Sequence, residues 1–220
     1  MFEVGHYSHA GNKRTLNEDS YDIDAGLGIA CVVDGMGGAN AGDVASAFVR
    51  EQLRKCLLQG DSPSQALKNT GQSLRIQRPQ QGTAPSGASA ALVRFTASDL
   101  NLAWLGTCRV FFHDGMRCHA VNDQSAAPEG SPPAPATAIQ ALGVTASDKL
   151  HIASATLNWK RAQAVLLCSD GLLEDCTVET LQNVMVNPQL CAQEAVDQIM
   201  ISALNGAALN NLTAVLIRRV

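Results

Sequence analysis

The chain has 220 residues, of which 46% are hydrophobic and 16% are charged, and its formal net charge is -4. That length fits one sizeable domain or at most two small ones, and the hydrophobic content supports a core, unlike that of disordered chains. The acidic balance argues against nucleic-acid binding. No apolar run approaches the roughly 20 residues that cross a bilayer, and the N-terminal segment lacks an apolar signal core. We therefore expect a cytoplasmic protein without membrane association.

Cysteine usage agrees with a reducing compartment. The number of cysteines is odd, and no two are spaced as C-x-x-C, so we expect neither a disulfide framework nor a cysteine zinc site. Several of them lie in apolar runs, where a free cysteine acts as a small core residue. The seven are Cys31, Cys56, Cys108, Cys118, Cys168, Cys176 and Cys191.

The first third of the chain predicts a strand and two helices. Residues 27–33, LGIACVV, form a short apolar run that is typical of a fully buried strand. A helix is predicted to follow, with Asp43 or Gly42 as its N-cap. A second helix is predicted to begin at residues 62–63, because proline suits the first helical position. Residues 76–87 predict a loop.

The periodicity then changes to that of strands. Residues 88–95, 101–107 and 109–115 are strand-like and are separated by turn signals, so they predict an antiparallel meander. Residues 124–138 are rich in proline, alanine and serine, and they predict an irregular excursion.

The remaining elements predict the fold class. Strands are expected over residues 150–156, 162–171 and 212–219, and helices from about residue 177 and from residues 187–188. Adjacent strands and paired helices favour antiparallel sheets covered by helices over a doubly wound parallel sheet.

Three acidic motifs lie at predicted strand boundaries. Carboxylates at strand ends, next to glycines that allow close approach, suit a hard cation such as magnesium or manganese, which prefers oxygen ligands. Arg14 lies shortly before the first motif, and its guanidinium could hold a phosphate oxygen. The motifs are Asn17-Glu18-Asp19, Asp34-Gly35 and Asp170-Gly171.

Each motif also has an ordinary structural explanation. Asp-Gly after a strand is a common turn, and Asp43 can be only a helix cap. One Asp-Gly alone favours that explanation, whereas two of them together with Arg14 and the Asn-Glu-Asp motif favour a site. The glycines after Asp34 match neither the dinucleotide-binding fingerprint nor the phosphate-binding loop of nucleotide enzymes.

Four segments resemble, in the same order, motifs of the metal-dependent protein phosphatases (the PPM family, type-2C serine/threonine phosphatases) of the compact bacterial kind. They are GNKRTLNEDS, VVDGMGGANAGDVAS, LLCSDGLLED and NNLTAVLI. The resemblance covers nearly the whole chain. It implies an α+β fold, a four-layer α-β-β-α sandwich of two antiparallel sheets flanked by helix pairs. It also implies a single domain over residues 1–220, with a short flap at about 124–142.

The resemblance further implies a hydrolase that cleaves phosphoserine or phosphothreonine with a water activated by two manganese or magnesium ions. Asp34 would bridge both ions, Gly35 would give its carbonyl, and Asp170 would bind the first ion. Glu18 and Asp19 would bind the second ion directly or through water. Matched in the same way, Arg14 would hold the substrate phosphate.

Two positions depart from the family pattern. Asn210 stands where the family has a metal-binding aspartate, and its amide oxygen can coordinate an ion but brings no charge. Thr107 replaces an aspartate of the Gly-Asp-Ser-Arg motif, which counts against a third, weaker ion.

Two functions therefore stay open. One is a working serine/threonine phosphatase with a weakened metal centre, acting as a monomer on a phosphorylated protein, the substrate of a cognate serine/threonine kinase. The other is a catalytically impaired relative, a pseudophosphatase that binds a phosphoprotein or regulatory partner. Asn210 and Thr107 favour the second, whereas the intact Asp34 and Arg14 favour the first.

Overall fold

Two five-stranded antiparallel sheets, with helices on their outer faces, form the molecule. The computed structural model describes residues 1–37, 41–76, 86–121, 140–160 and 163–220. The strands are β1 (Phe2–His9), β2 (Asp19–Asp24), β3 (Ile29–Met36), β4 (Gly87–Phe95), β5 (Asp99–Leu105), β6 (Arg109–His113), β7 (Cys118–Ala120), β8 (Ala153–Asn158), β9 (Gln163–Cys168) and β10 (Leu212–Arg219). The helices are α1 (Gly42–Leu58), α2 (Pro63–Ile76), α3 (Leu172–Asp175), α4 (Val178–Val184) and α5 (Ala192–Leu204), with a 3-10 turn at Ser147–Lys149.

The strand order is β1-β10-β9-β6-β7 in the first sheet and β2-β3-β4-β5-β8 in the second. In β3, which is buried on both faces, alternate side chains point to opposite sides. Ile29, Cys31 and Val33 pack with α1 and α2. Ala30 and Val32 face the other sheet. One strand thus contributes to two apolar layers, which is why its sequence reads as a continuous apolar run.

The first sheet repeats this arrangement with the C-terminal helices. Leu166 and Cys168 of β9 pack with Ile199 of α5. Val165 and Leu167 of the same strand lie between the two sheets. The three apolar layers confirm the expected four-layer α-β-β-α sandwich of class α+β.

The first predicted strand is present as β3, but it continues to Met36, so Asp34 lies inside the strand rather than at its end. Pairing with β4 over its whole length extends it. The predicted helix follows as α1, and Ala41 is its N-cap, without a side-chain cap hydrogen bond. The expectation that Asp43 or Gly42 caps this helix was therefore wrong.

The predicted meander was wrong for its third strand. β4 and β5 pair in the second sheet, whereas β6 pairs with β7 and β9 in the first. Gly106, which joins β5 to β6, has a φ of 85°, a left-handed conformation that glycine adopts without strain. This turn takes the chain from one sheet to the other and leaves Thr107 between them.

The last helix begins later than predicted. Asn187 makes a turn in which its side-chain oxygen accepts from the Gln189 amide at 3.0 Å and its carbonyl from the Leu190 amide at 3.2 Å. α5 starts only after this turn, where Cys191 and Glu194 form a capping box. The proline after Asn187 therefore belongs to a turn and not to a first helical position.

The strands expected over residues 150–156 and 162–171 are present as β8 (Ala153–Asn158) and β9 (Gln163–Cys168), with different bounds. Three further elements match their predictions. Pro63 begins α2, Thr177 caps α4, and β10 spans the predicted residues. No helix in the described ranges is long and apolar enough to span a membrane. The expected loop at 76–87 and flap at about 124–142 lie mostly outside the described residues.

Candidate metal centre

The register of β2 and β3 brings the first two acidic motifs together. Asp19 at the start of β2 lies directly opposite Asp34 of β3. Glu18 precedes Asp19, and its carbonyl accepts from the Gly35 amide at 3.1 Å. Antiparallel pairing therefore brings two motifs that are separated in the sequence into one cluster.

Asp19 is held by two buried hydroxyl groups. Ser169 and Thr213 each donate to its Oδ2 at 2.7 Å, while its Oδ1 is buried without a hydrogen-bond partner. Burial raises the pKa of Asp19 to about 6, against the two hydroxyl bonds and with the help of the charges of Asp170 and Glu18. One oxygen of this carboxylate is thus fixed, and the other is left for a ligand.

A chain of donors continues behind these hydroxyls. Because Thr213 donates its proton to Asp19, the 2.8 Å contact between Ser8 and Thr213 has Ser8 as its donor. The Asn17 side-chain amide donates to Ser8 at 2.8 Å, and its oxygen accepts from the Asp19 amide at 3.1 Å. The Asn-Glu-Asp motif therefore positions its own aspartate through the opposite sheet.

Asp34 is the second carboxylate of the cluster, and it is half-buried. Burial, together with the negative charges of Asp19 and Asp170, raises its pKa to about 7. The Thr107 hydroxyl donates to Asp34 Oδ2 at 3.1 Å and also lies 3.1 Å from the Ser89 hydroxyl. Thr107 is thus a neutral neighbour that orients Asp34, at the position where the family pattern has an acid.

Two glycines clear the space around Glu18. A Cβ on Gly42 would lie 2.3 Å from Glu18 Oε1, and a Cβ on Gly35 would lie 2.0 Å from the Gly42 carbonyl oxygen. Neither position can take a larger residue without displacing its neighbour. The glycines therefore permit the close approach of the Glu18 carboxylate and of the Gly42 backbone.

Asn211 joins the acidic cluster to the rest of the chain. Its side-chain oxygen accepts from the Glu18 amide at 2.9 Å. Its amide donates to the carbonyls of Ala10 at 3.0 Å and Leu16 at 2.9 Å. Its own backbone carbonyl lies 2.3 Å from where a Cβ of Gly171 would be. Asn211 thus fixes the segment before β2 against the turn that carries Asp170.

Arg14 and Asn210 lie beside this cluster and contact each other. Arg14 donates to Asn210 Oδ1 at 2.7 Å, and Asn210 Nδ2 donates to Glu174 Oε1 at 2.6 Å. A Cβ on Gly171, the residue after Asp170, would lie 3.1 Å from Asn210 Cβ, so the two backbones are close there. The structure therefore brings Glu18, Asp19, Asp34 and Asp170 close enough for their charges to interact. Asn210 lies next to the turn that carries Asp170, and Arg14 contacts Asn210.

The donor set fits a hard divalent ion that keeps several waters. In the described part of the chain, no three Asp, Glu, His or Cys side chains form a group that could hold an ion. Carbonyls, amide oxygens and waters must then complete the coordination, as is usual for magnesium. Asp19 Oδ1, which is buried and unpartnered, is the observation that supports such an ion.

Sequence reasoning missed the residues that support the acids. Ser169 and Thr213 lie inside quoted motifs, yet no rule of spacing assigns them a partner across the sandwich. Asp175 lies in α3 and also accepts from the amides of Ala207 at 3.0 Å and Ala208 at 2.8 Å, contacts that the sequence did not indicate.

No family model matches the chain. The serine/threonine protein phosphatase PstP of Mycobacterium tuberculosis is 27% identical over 231 residues, which cover 94% of this chain and 43% of PstP. The chain therefore spans less than half the length of this relative.

Solved structures share the fold over almost the whole chain. PppA, a key regulatory component of T6SS in Pseudomonas aeruginosa, has a TM-score of 0.82 and 25% identity over 99% of this chain and 97% of its own. The PstP catalytic domain in complex with two manganese ions has a TM-score of 0.82 and 24% identity over 99% and 97%. Stp1 of Staphylococcus aureus has a TM-score of 0.81 and 19% identity over 99% and 95%.

The chain shares its two-sheet sandwich with PPM-type phosphatase structures, so the fold implied by the resemblance is confirmed. The homologues of this chain are bacterial serine/threonine protein phosphatases, and one of them binds two manganese ions.

Proposed function

We propose that this chain is a metal-dependent protein phosphatase that hydrolyses phosphoserine and phosphothreonine. The observation that carries the proposal is the buried, unpartnered Oδ1 of Asp19, in a carboxylate that lies near the negative charges of Asp170 and Glu18. Among the described residues, none of the four acids forms a salt bridge with a basic side chain. Ionised carboxylates that are buried without such partners are costly unless cations bind them.

Two manganese or magnesium ions would balance the charge of the carboxylates of Glu18, Asp19, Asp34 and Asp170. The residues that would hold them are Asp34, the carbonyl of Gly35, Glu18, Asp19, Asp170 and the amide oxygen of Asn210. Bound there, the ions would supply an acidified water and positive charge for the phosphoryl oxygens. Because Thr107 is neutral, we expect two ions and not three.

The protein's own side chains orient the carboxylates and bind the substrate phosphate. Ser169 and Thr213 fix one oxygen of Asp19, and Thr107 fixes one oxygen of Asp34. Arg14 binds the substrate phosphate through its guanidinium, which leaves the acidic cluster free to bind cations. Since these groups are placed before substrate arrives, little reorganisation is needed in the reaction.

The substrate would be a phosphoprotein made by a cognate serine/threonine kinase. Homologues named serine/threonine protein phosphatase support this class of substrate. We further propose that residues 1–220 form one domain that acts as a monomer in the cytoplasm. The apolar layer shared by both sheets supports the single domain.

The second candidate is an impaired relative that binds a phosphoprotein or regulatory partner. One observation favours it, because the Asn210 oxygen already accepts from Arg14 and brings no charge to a metal. This candidate predicts binding of a phosphopeptide without turnover.

Phosphate release from a phosphothreonine peptide distinguishes the two candidates. The wild type is expected to release phosphate with manganese and not with EDTA, and Asp34→Ala is expected to be inactive in both. Asp148→Ala, on the surface 3-10 turn, is the matched control and should keep wild-type activity. Equal, negligible release by the wild type with and without manganese would overturn the proposed hydrolysis.

A further inference from the structure

Arg14, Asn210 and Glu174 form a connected row of side chains at the edge of the centre. The guanidinium donates to the amide oxygen at 2.7 Å, and the amide nitrogen donates to the carboxylate at 2.6 Å. Arginine can only donate and an ionised carboxylate can only accept, so the two partners fix the orientation of the amide. We infer that Glu174 is a positioning residue that acts through Asn210 to orient Arg14 for an anionic phosphate.

An asparagine is the side chain that this row requires. Its amide accepts on one side and donates on the other, whereas an aspartate at position 210 could only accept. An aspartate would also face the Glu174 carboxylate across a 2.6 Å contact, where two negative charges repel. The departure of Asn210 from the family pattern is thereby explained as the central link of the row, independently of any metal.

The backbone that carries Asn210 is held from the same helix. Asp175 accepts from the amides of Ala207 and Ala208, and Ala208 has a left-handed φ of 42°. From the other side, the backbone N–H of Asn12 donates to the Ala208 carbonyl at 2.8 Å. The short helix α3 therefore fixes both the loop and the side chain that reaches Arg14.

Fixing Arg14 matters because its side chain is exposed and long. An exposed arginine loses much rotamer freedom when it binds an anion, and a side chain held in advance loses less. The bond to Asn210 uses one of the five N–H groups of the guanidinium, so others can still bind a phosphate oxygen. The expected benefit is tighter phosphate binding without a change in the chemical step.

This inference rests on the proposed function, and inorganic phosphate tests it without turnover. Calorimetric titration of phosphate into the manganese-loaded protein should give a Kd about 10-fold or more weaker for Arg14→Ala, the size expected for a charge-assisted bond. Glu174→Ala should weaken binding about 3- to 10-fold, as expected for a lost orienting contact. In the double variant, Glu174→Ala should add little to Arg14→Ala, because the carboxylate acts through the guanidinium.

Two controls separate orientation from charge and from folding. Glu174→Gln removes the charge but keeps an oxygen that accepts from Asn210, so it should bind phosphate within about twofold of the wild type. Glu179→Ala removes an exposed glutamate of α4 that lies outside the row. This variant should also bind phosphate within about twofold of the wild type. On a small phosphate ester, Glu174→Ala should raise KM with kcat nearly unchanged.

Several outcomes would overturn the inference. They are wild-type phosphate affinity in Glu174→Ala, equal losses in Glu174→Gln and Glu174→Ala, fully additive losses in the double variant, or no phosphate binding by the wild type. A wild type that binds phosphate with the predicted pattern of variants but hydrolyses no ester would instead support the row and overturn the proposed hydrolysis.

Discussion

Replacing Asp34 by asparagine is expected to stabilise the metal-free protein at pH 8 and to leave it nearly unchanged near pH 4. Asparagine has the shape of the protonated carboxylic acid but cannot ionise. Its oxygen can still accept from the Thr107 hydroxyl, which now donates to Asp34 Oδ2 at 3.1 Å. The variant therefore removes the charge while keeping the local contact.

The sign of the effect follows from the raised pKa of Asp34. Above pH 3.8 the unfolded chain loses the proton of this residue, whereas the folded chain keeps it up to about pH 7. The folded state then binds more protons, so wild-type stability falls as the pH rises through this window. The asparagine variant does not experience this loss, and the difference between the two proteins reaches its maximum above pH 7.

The magnitude follows from the same shift. The pKa of Asp34 rises from 3.8 in the unfolded chain to about 7 in the folded protein. At about 1.36 kcal/mol per pKa unit, the gain in unfolding free energy for the variant is at most about 4 kcal/mol. Because Asp34 is partly accessible to water, we expect about 2–4 kcal/mol. For a chain of this size each kcal/mol moves Tm by roughly 2–4 °C, so a rise of several degrees is expected.

Thermal unfolding in EDTA at pH 4 and pH 8 measures the difference. Comparison with the wild type cancels the pH-dependent contributions of titratable groups away from the site. One such group is His113, whose pKa is lowered by burial. Manganese should reverse the order at pH 8, because it binds the wild type and not the variant. Equal Tm values at pH 8 in EDTA, or a less stable variant, would refute the reasoning.

Three further experiments test the support around the acids. Gly42→Ala should weaken manganese binding at least several-fold in a calorimetric titration, because its Cβ would lie 2.3 Å from Glu18 Oε1; unchanged affinity would contradict the packing argument. Thr213→Val removes one hydroxyl donor from the buried carboxylate of β2 and should lower the free energy of unfolding by about 1–3 kcal/mol in urea, and a loss below about 0.5 kcal/mol would count against that bond. Asn210→Asp combined with Glu174→Gln should tighten manganese binding more than Asn210→Asp alone, because the double variant lacks the repulsion between carboxylates at positions 210 and 174. If the midpoint of the manganese titration were unchanged in both variants, position 210 would not contact the ions.

The sequence predicted the acidic motifs because each one is local. Asp34 and Asp170 are each followed by glycine after an apolar run, a pattern that is readable without knowledge of the fold. The register that places Asp19 opposite Asp34 is known only from the structure, because no range was predicted for β2. Fold class and the acidic motifs were therefore accessible from the residues, whereas the way the motifs meet was not.

The contacts that tune the site were not accessible, since they join elements that are distant in the chain. The hydroxyls of Ser169 and Thr213 reach Asp19 from the first sheet, across the sandwich. The reading of Asn210 as a weakened ligand considered only its lost charge, and its bond to Glu174 appears only when α3 packs against the loop before β10. Gly106 redirects β6 to the other sheet, which strand periodicity cannot reveal.

Anomalous scattering at the manganese edge, from crystals grown with manganese chloride, tests most directly whether separate strands build a divalent metal centre here. We expect two peaks within coordinating distance of Asp34, one also near Asp170 and one near Glu18 and Asp19, and their loss in Asp34→Asn. Absence of any peak beside Asp34 at saturating manganese would contradict the account.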